Sequence, residues 1–184
     1  LLLVLQPAFV YGQDWEKTYG TGVGYSVQQT TDGGYVVIGQ NGIHDICLLK
    51  TDNNGDTIWS KTFGGNTYDI GYSGQQTIDD GYIITGWTNA GSNQDDIFLI
   101  KTDSNGDTMW TKTYGGNDNE VGLCVQQTSD EGYIISGWND SNNNLHDVYL
   151  IKTDSYGEIT WTKTIIGDRF EVGRSVQQTT DGGY

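Results

Sequence analysis

Short apolar runs recur along the chain, four to each period of about fifty residues. One period shows them at residues 73–77, 82–87 (YIITGW), 96–102 (DIFLIKT) and 108–114 (TMWTKTY). Turn sequences such as Asp-Asp-Gly and Ser-Asn-Gly separate the runs, and their residues tolerate the positive φ angles of tight hairpins. The pattern therefore predicts four short antiparallel strands in each period and no long helix.

The period itself is the clearest feature of the sequence. The first glutamine of a Gln-Gln-Thr motif stands at positions 28, 75, 126 and 177, which are 47, 51 and 51 residues apart. Trp59, Trp110 and Trp161 keep the same 51-residue step, and Trp15 opens a related Trp-Glu-Lys-Thr segment. A period of forty to fifty residues with several strands is typical of propeller blades that stack on one another. Residues 13–184 are therefore predicted to be an all-β propeller fragment of four-stranded antiparallel blades, about three complete and partial at each end.

The repeat also predicts how the blades pack. Continuous apolar runs such as Ile-Phe-Leu-Ile favour strands covered on both faces. The three repeated tryptophans are expected at equivalent buried structural positions, and the glutamine pairs of the first, innermost strand are expected to stitch neighbouring blades together. Propellers close with at least about four blades, so we expect missing sequence to supply the rest of the ring.

A resemblance follows from the repeated motifs. Residues 48–59, 99–110 and 150–161 share the pattern L-[LI]-K-T-D-x-x-G-[DE]-x-x-W, accompanied by Gly-Gly-Tyr and W-x-K-T-Y-G-G motifs. With these motifs, residues 15–184 resemble a secreted bacterial β-propeller repeat family of unassigned function, whose members are often large and carry C-terminal sorting or anchoring domains. The D-x-x-G-x-x-x-W segment is also similar to the tryptophan-docking motif of quinoprotein dehydrogenases. Here the turn is one residue shorter and lysine replaces that motif's alanine, so we expect no quinone cofactor.

Charge and the N-terminal segment bear on location and partners. The formal net charge of −15 repels phosphate backbones and anionic lipid, so we expect neither nucleic-acid binding nor membrane insertion. Residues 1–12 begin with an apolar run too short to span a bilayer and end in Val-Tyr-Gly, which predicts a signal-peptide remnant and a secreted or cell-surface protein. A buried first strand is the alternative for this segment. Cys47 and Cys124 occupy different places in the repeat and predict no disulfide framework.

Two of the acidic turns resemble calcium loops. They hold three oxygen-bearing side chains in five residues, but glycine stands at the fourth position and no bidentate glutamate follows. We therefore expect ordinary hairpin turns and no cofactor, with calcium as the open alternative. The candidate ligands are Asp52, Asn54, Asp56, Asp103, Asn105 and Asp107.

The turns and the longer links differ in how far they vary. The hairpin turns are nearly invariant between copies, whereas the links from second to third strand and from one blade to the next differ. In a propeller these varied links share one rim, which is free to carry recognition. The predicted ligand-binding rim residues are Asn66, Tyr68, Asp69, Asn89, Asn93, Asp95, Asp118, Glu120, Asn142, Asn144 and His146.

The rim chemistry favours a non-enzymatic module that binds carbohydrate or protein, or serves as a scaffold. His44 and His146 precede aspartates at equivalent places, and surface-loop roles suit them better than catalysis, because no converging partners accompany them. The alternative is a polysaccharide-active lyase or hydrolase that uses carboxylates across the central mouth. Its candidate residues are Asp69, Asp118, Glu120 and Glu171.

Overall fold

A computed structural model describes residues 16–20, 22–42, 44–65, 67–89, 94–142 and 145–184, without the side chains of residues 141 and 142. Within these ranges the chain forms three four-stranded antiparallel sheets and no helix. Sheet I contains β1 (Gly22–Gln29), β2 (Tyr35–Asn41), β3 (Ile46–Thr51) and β4 (Thr57–Phe63). Sheet II contains β5 (Asp69–Gln76), β6 (Tyr82–Thr88), β7 (Asp96–Thr102) and β8 (Thr108–Tyr114). Sheet III contains β9 (Glu120–Gln127), β10 (Tyr133–Asn142), β11 (Leu145–Thr153) and β12 (Ile159–Ile165).

Each sheet is a meander in which consecutive strands pair, so the predicted all-β class with four-stranded antiparallel units is confirmed. The arrangement is consistent with a propeller-like fold, and the sheets are not closed. The turns between the third and fourth strands place Gly55, Gly106 and Gly157 at φ angles of 77°, 78° and 78°. Glycine adopts this left-handed conformation without the steric cost that a Cβ brings.

Apolar layers lie between the sheets. The layer between sheets I and II contains Val36, Ile38, Ile46, Leu48, Tyr82, Ile84 and Ile100. The layer between sheets II and III contains Ile83, Ile97, Leu99, Tyr114, Val125, Tyr133, Ile135 and Ile151. Neighbours along β7 thus pack in opposite directions, Leu99 toward sheet III and Ile100 toward sheet I. Sheet II is covered on both faces, which explains its continuous apolar strands.

The first strands of adjacent sheets lie side by side. Gln76 N donates a hydrogen bond to Gln28 Oε1 at 2.8 Å, and Val125 N donates to Ser73 Oγ at 3.3 Å. The second glutamine of each later pair reaches back to the turn of the preceding sheet. The pairs are Thr31 N to Gln76 Oε1, Ile78 N to Gln127 Oε1, and Ser129 N to Gln178 Oε1, at 2.8, 2.9 and 2.9 Å. The predicted stitching role of the repeated glutamines is confirmed.

The fourth copy of the repeat, residues 171–184, has no assigned strand but lies beside sheet III. Gly173 N donates to Gly137 O at 3.0 Å, and Thr179 N donates to Gly183 O at 2.8 Å in the same turn that the earlier copies form. Tyr184 meets Trp161 edge to face, with ring centroids 5.6 Å apart. The described residues of this copy therefore make the contacts of a first strand.

The three repeated tryptophans occupy equivalent places, as predicted, but they are less buried than predicted. Trp59 and Trp110 are half-buried, and Trp161 is 38% exposed. They lie on the fourth strand of each sheet, where the indoles of Trp59 and Trp110 face the Gly106 and Gly157 turns of the next sheet. Trp59 meets Tyr82, and Trp110 meets Tyr133, edge to face at 5.7 and 5.9 Å.

No helix in the described part of the chain is long and apolar enough to cross a membrane. Several sequence predictions fall on residues outside that part, and they stay predictions. They concern the signal-peptide segment 1–12, Trp15, Asn66, Asn93 and Asn144, together with the side chain of Asn142.

Candidate functional site

The two ends of the sheets differ in chemistry. The hairpin end comprises the turns at residues 30–34, 77–81 and 128–132 and those at residues 52–56, 103–107 and 154–158. The loop end comprises the described residues of the links 42–45, 64–68, 89–95, 115–119 and 166–170, together with the end of β10 and the start of β11.

A buried lysine fastens the two turns of each sheet at the hairpin end. Lys101 is 3% exposed; its Nζ lies 2.8 Å from Asp79 Oδ2 and donates to Thr102 O at 2.8 Å. Lys50 with Asp32 and Lys152 with Asp130 repeat the arrangement, each at 2.8 Å. The lysine partners, as the largest cause, together with the threonine two residues earlier, lower the pKa of Asp32 and of Asp130 to about 2. We call these three pairs the lysine clips.

Further contacts at the hairpin end join one sheet to the next. Lys61 Nζ lies 2.7 Å from Asp107 Oδ1, and Lys112 Nζ lies 2.6 Å from Glu158 Oε1. The Tyr114 hydroxyl donates to Gly157 O at 2.7 Å. The uniform turns therefore hold the structure together, which accounts for their near-identity between copies.

The calcium candidates lie in these turns, and their carboxylates have other partners. Asp103 Oδ1 accepts the backbone N–H groups of Asn105 and Asp107, at 2.9 and 2.8 Å. Asp52 does the same for Asn54 and Asp56, and Asp56 pairs with Lys17 at 2.7 Å. These are the contacts of capped hairpin turns. Among the described residues, no group of three or more His, Cys, Asp or Glu side chains is placed to hold a metal ion.

The loop end carries aromatic groups that differ from sheet to sheet. At sheet III the His146 ring stacks on Trp138 with centroids 3.8 Å apart and planes 5° apart, and Phe170 meets it edge-on at 5.0 Å. Phe170 is 65% exposed, so this cluster opens to solvent. His146 Nε2 lies 3.4 Å from Asp140 Oδ1, an ion pair whenever the ring is protonated.

The corresponding place at sheet I is built differently. His44 has a φ of 75° and its ring lies 4.2 Å from that of Tyr68, which is 56% exposed. Gln40 Nε2 lies 2.8 Å from His44 Nδ1. At sheet II, Asn89 Nδ2 donates to Asp95 Oδ1 at 3.3 Å in place of a histidine contact. Each sheet thus presents its own polar and aromatic groups at this end.

Carboxylate pairs lie beneath the loop end at each junction between successive copies of the repeat. One member lies at or near the start of the third strand of a sheet (Asp45, Asp96, Asp147), and the other begins the next copy (Asp69, Glu120, Glu171). A Cβ on Gly64 would stand 2.6 Å from Asp69 Oδ2 and 2.9 Å from Asp45 Oδ1, so both oxygens crowd one glycine. At the last junction Gly167 lies against the Glu171 carboxylate and donates its N–H to Asp147 Oδ1 at 3.3 Å.

The middle pair has the most unusual electrostatics. Glu120 is 7% exposed, and burial, the largest cause, raises its pKa to about 7, with Asp96, Asp118 and Asp140 adding to the rise. The Gly116 N–H, which donates to Glu120 Oε2 at 3.3 Å, acts in the opposite direction. Burial and Asp95 also raise the pKa of Asp96. Buried like charges favour a shared proton or a bound cation.

Comparison with known proteins identifies no family. No family model and no curated protein matches the chain. Among solved structures, the chain is similar to a crystal structure of a protein of unknown function from Bacteroides caccae, at 11% sequence identity and a TM-score of 0.44. That similarity covers 80% of this chain and 69% of the other.

The structure separates the predicted rim residues into two groups. Tyr68 and Asp118 are exposed at the loop end, and Asn89, Asp95 and His146 are half-buried there. Asp69 and Glu120 are 1% and 7% exposed, so their expected place on an open rim is wrong. The reason is that β5 and β9 begin at these two residues, where the sequence predicts links between blades.

The link predicted at residues 139–146 is also mostly strand, because β10 continues to Asn142 and β11 begins at Leu145. His146 therefore projects from a strand. The prediction of a rim missed Trp138 and Phe170, which complete the aromatic cluster with His146. The sequence contains a clue to Phe170, because it stands in the varied link after the fourth strand. The other copies have Tyr68 and Asn119 at the same place in that link.

Proposed function

We propose that the chain forms part of a secreted or cell-surface β-propeller whose loop end binds a carbohydrate or protein ligand without chemical change to it. The observation that supports this most is the contrast between the ends. At the hairpin end the repeated charged and amide side chains are engaged in clips, turns and stitches. At the loop end, exposed aromatic groups differ from one sheet to the next.

The loop-end chemistry suits a neutral polar ligand. Phe170 and Tyr68 offer exposed ring faces, at 65% and 56% exposure, beside amides and carboxylates. Aromatic rings pack on apolar ligand surface while neighbouring polar groups fix its orientation. The formal charge of −15 disfavours polyanionic ligands, so neutral glycans and basic or neutral protein surfaces are the expected classes.

Arrays of glycans and peptides, probed with the labelled chain, test the proposal. The wild-type chain is expected to give reproducible hits, and Phe170→Ala is expected to lose at least tenfold in affinity for them. Tyr156→Ala, at a 73% exposed hairpin-end position, serves as the matched control and is expected to bind normally. Equal losses in the two variants would contradict binding at the loop end.

A polysaccharide-active enzyme is the second candidate, because Glu120 combines a pKa of about 7 with a place on the wall of a cavity of about 260 Å³. A general acid needs such a pKa. However, Asp69 and Glu120 are both buried, so a polymer has little access to them. Release of reducing ends or unsaturated sugars from polysaccharide, lost in Glu120→Gln, would favour this candidate over simple binding.

A further inference from the structure

The junction between sheets II and III contains buried hydrogen-bond acceptors that have no donor. Asp96 Oδ1 and Asn139 Oδ1 are buried and have no hydrogen-bond partner. Asn139 is 6% exposed and lies directly opposite Glu120 on one neighbouring strand and Asp147 on the other. Residues opposite each other in antiparallel strands project to the same face, so the amide belongs to the same row as these carboxylates.

Buried acceptors without donors are uncommon in proteins and call for an explanation in each case. Here the acceptors include two carboxylates from adjacent sheets. Asp96 Oδ1 lies so close to Gly115 that no Cβ fits there, and the Gly116 N–H reaches only the other partner, Glu120 Oε2. The Asp118 and Asp140 side chains add further negative charge around Glu120. Among the described residues, no cationic side chain acts on the carboxylates of Glu120 and Asp96.

We propose that Asp96 and Glu120, with Asn139 Oδ1 as a further ligand, bind a divalent cation of the calcium type at this junction. Carboxylate and amide oxygens are the ligands of Ca²⁺, which accepts irregular geometry and fills its remaining positions with backbone oxygens and water. Space for water exists, because Glu120, Gly115, Gly116 and Tyr149 line the cavity of about 260 Å³. Mg²⁺ fits less well because it demands near-ideal octahedral geometry.

This site is distinct from the hairpin turns and from the exposed aromatic groups of the loop end. A cation here would join β7 of sheet II to β9 of sheet III directly beneath the loop end. It would therefore stabilise the stack of sheets whether or not the loop end binds a ligand, and the proposal does not depend on the proposed function.

Calorimetric titration of the metal-stripped chain with CaCl₂ at pH 7.5, with melting curves in EDTA and in calcium, tests the site. The wild-type chain is expected to bind Ca²⁺ and to melt at a higher temperature with it, because an ion that binds only the folded state stabilises it. Glu120→Gln and Asp96→Asn are each expected to weaken binding at least tenfold. The control Asp107→Asn removes the same charge from an exposed hairpin turn and is expected to bind calcium as the wild type does.

The two carboxylate variants differ in position, so a folding failure in one leaves the other informative. Failure of the wild-type chain to bind at millimolar CaCl₂ would overturn the proposal. The proposal would also be overturned if Glu120→Gln melted at a higher temperature than the wild type in EDTA while calcium had no effect on the wild type. The two carboxylates would then share a proton and bind no cation. A loss of calcium binding in Asp107→Asn equal to that in Glu120→Gln would move the ion to the hairpin turn and overturn it as well.

Discussion

The indole of Trp59 in sheet I occupies the space that a side chain on Gly106 of sheet II would fill. A Cβ on Gly106 would stand 2.8 Å from both Cη2 and Cζ3 of the indole. Trp110 and Gly157 repeat the relationship at the next junction, with ring atoms at 3.0 and 3.1 Å. The repeated tryptophan and the repeated turn glycine are thus two halves of one contact between sheets.

Gly106→Ala is expected to destabilise the fold more than Gly33→Ala does. Both glycines have left-handed φ angles, 78° and 83°, so each alanine costs about 1 kcal/mol of backbone strain. A Cβ on Gly33 meets nothing within 4 Å, whereas one on Gly106 must displace the indole, which costs roughly 1–3 kcal/mol more. Urea unfolding of the two variants measures the difference, and equal losses would show that Trp59 does not press on the turn.

The three tryptophans are expected to contribute unequally. Trp110→Ala should cost roughly 3 kcal/mol, at the low end of the range for large aromatic residues, because the indole is half-buried against Tyr133. Trp161→Ala should cost about 1 kcal/mol, since that indole is 38% exposed. Chemical denaturation of both variants checks the order. A larger loss for Trp161 would mean that its surroundings in solution differ from those described.

The lysine clips predict a loss of stability in acid. The carboxyl groups of Asp32 and Asp130 have a folded-state pKa of about 2, below the value of the unfolded chain, so the folded state binds their protons less tightly. Their contribution is present above about pH 4 and is lost as the pH falls toward 2. Between pH 5 and pH 2, the melting temperature of the double variant Asp32→Asn, Asp130→Asn should fall less steeply with pH than that of the wild type. An unchanged pH dependence would show that the lysine clips do not cause the acid sensitivity.

Glu120 predicts the opposite dependence at higher pH when no divalent cation is present. Its raised pKa means that the folded state binds the proton more tightly than the unfolded chain, for which a value near 4.5 is usual. Stability is therefore highest below about pH 4.5 and falls as the pH rises toward 7, by on the order of 3 kcal/mol. In EDTA, the melting temperature of Glu120→Gln should lack this slope. If the melting temperature of the variant still falls between pH 4.5 and pH 7, another group causes the pH dependence.

The sequence predicted the strands of sheet II closely where the repeat and its turns are regular. Residues 96–102 and 108–114 are strands as predicted, and residues 82–87 gain only Thr88. The first strand begins four residues earlier than predicted, at Asp69. Acidic and glycine residues there are typical of a loop, but Asp69 pairs with Thr88 across a bulge between Gly71 and Ser73. Tertiary pairing thus outweighed local composition.

The candidate site was less accessible to sequence reasoning. Asp96 and Glu120 lie 24 positions apart and in different repeats, so only the stacking of sheets brings them together. The positions equivalent to Asp96 and Glu120 are also acidic in the other copies. This recurrence is consistent with the pairing, but the sequence alone does not show that the two positions meet. The stack of Trp138 on His146 depends likewise on the extension of β10 and β11 into the predicted link.

The central claim is that the loop end binds a ligand and the hairpin end holds the fold, and a matched pair of double variants tests it most directly. Tyr68→Ala with Phe170→Ala changes exposed rings at the loop end, and Ile78→Ala with Tyr156→Ala changes exposed apolar groups at the hairpin end. Exposed side chains contribute little to stability, so both double variants should melt close to the wild type. Calorimetric titration with the strongest array ligand should then show binding lost in the loop-end variant and kept in the hairpin-end variant. Binding lost in the hairpin-end variant and kept in the loop-end variant would contradict the claim and assign recognition to the uniform turns.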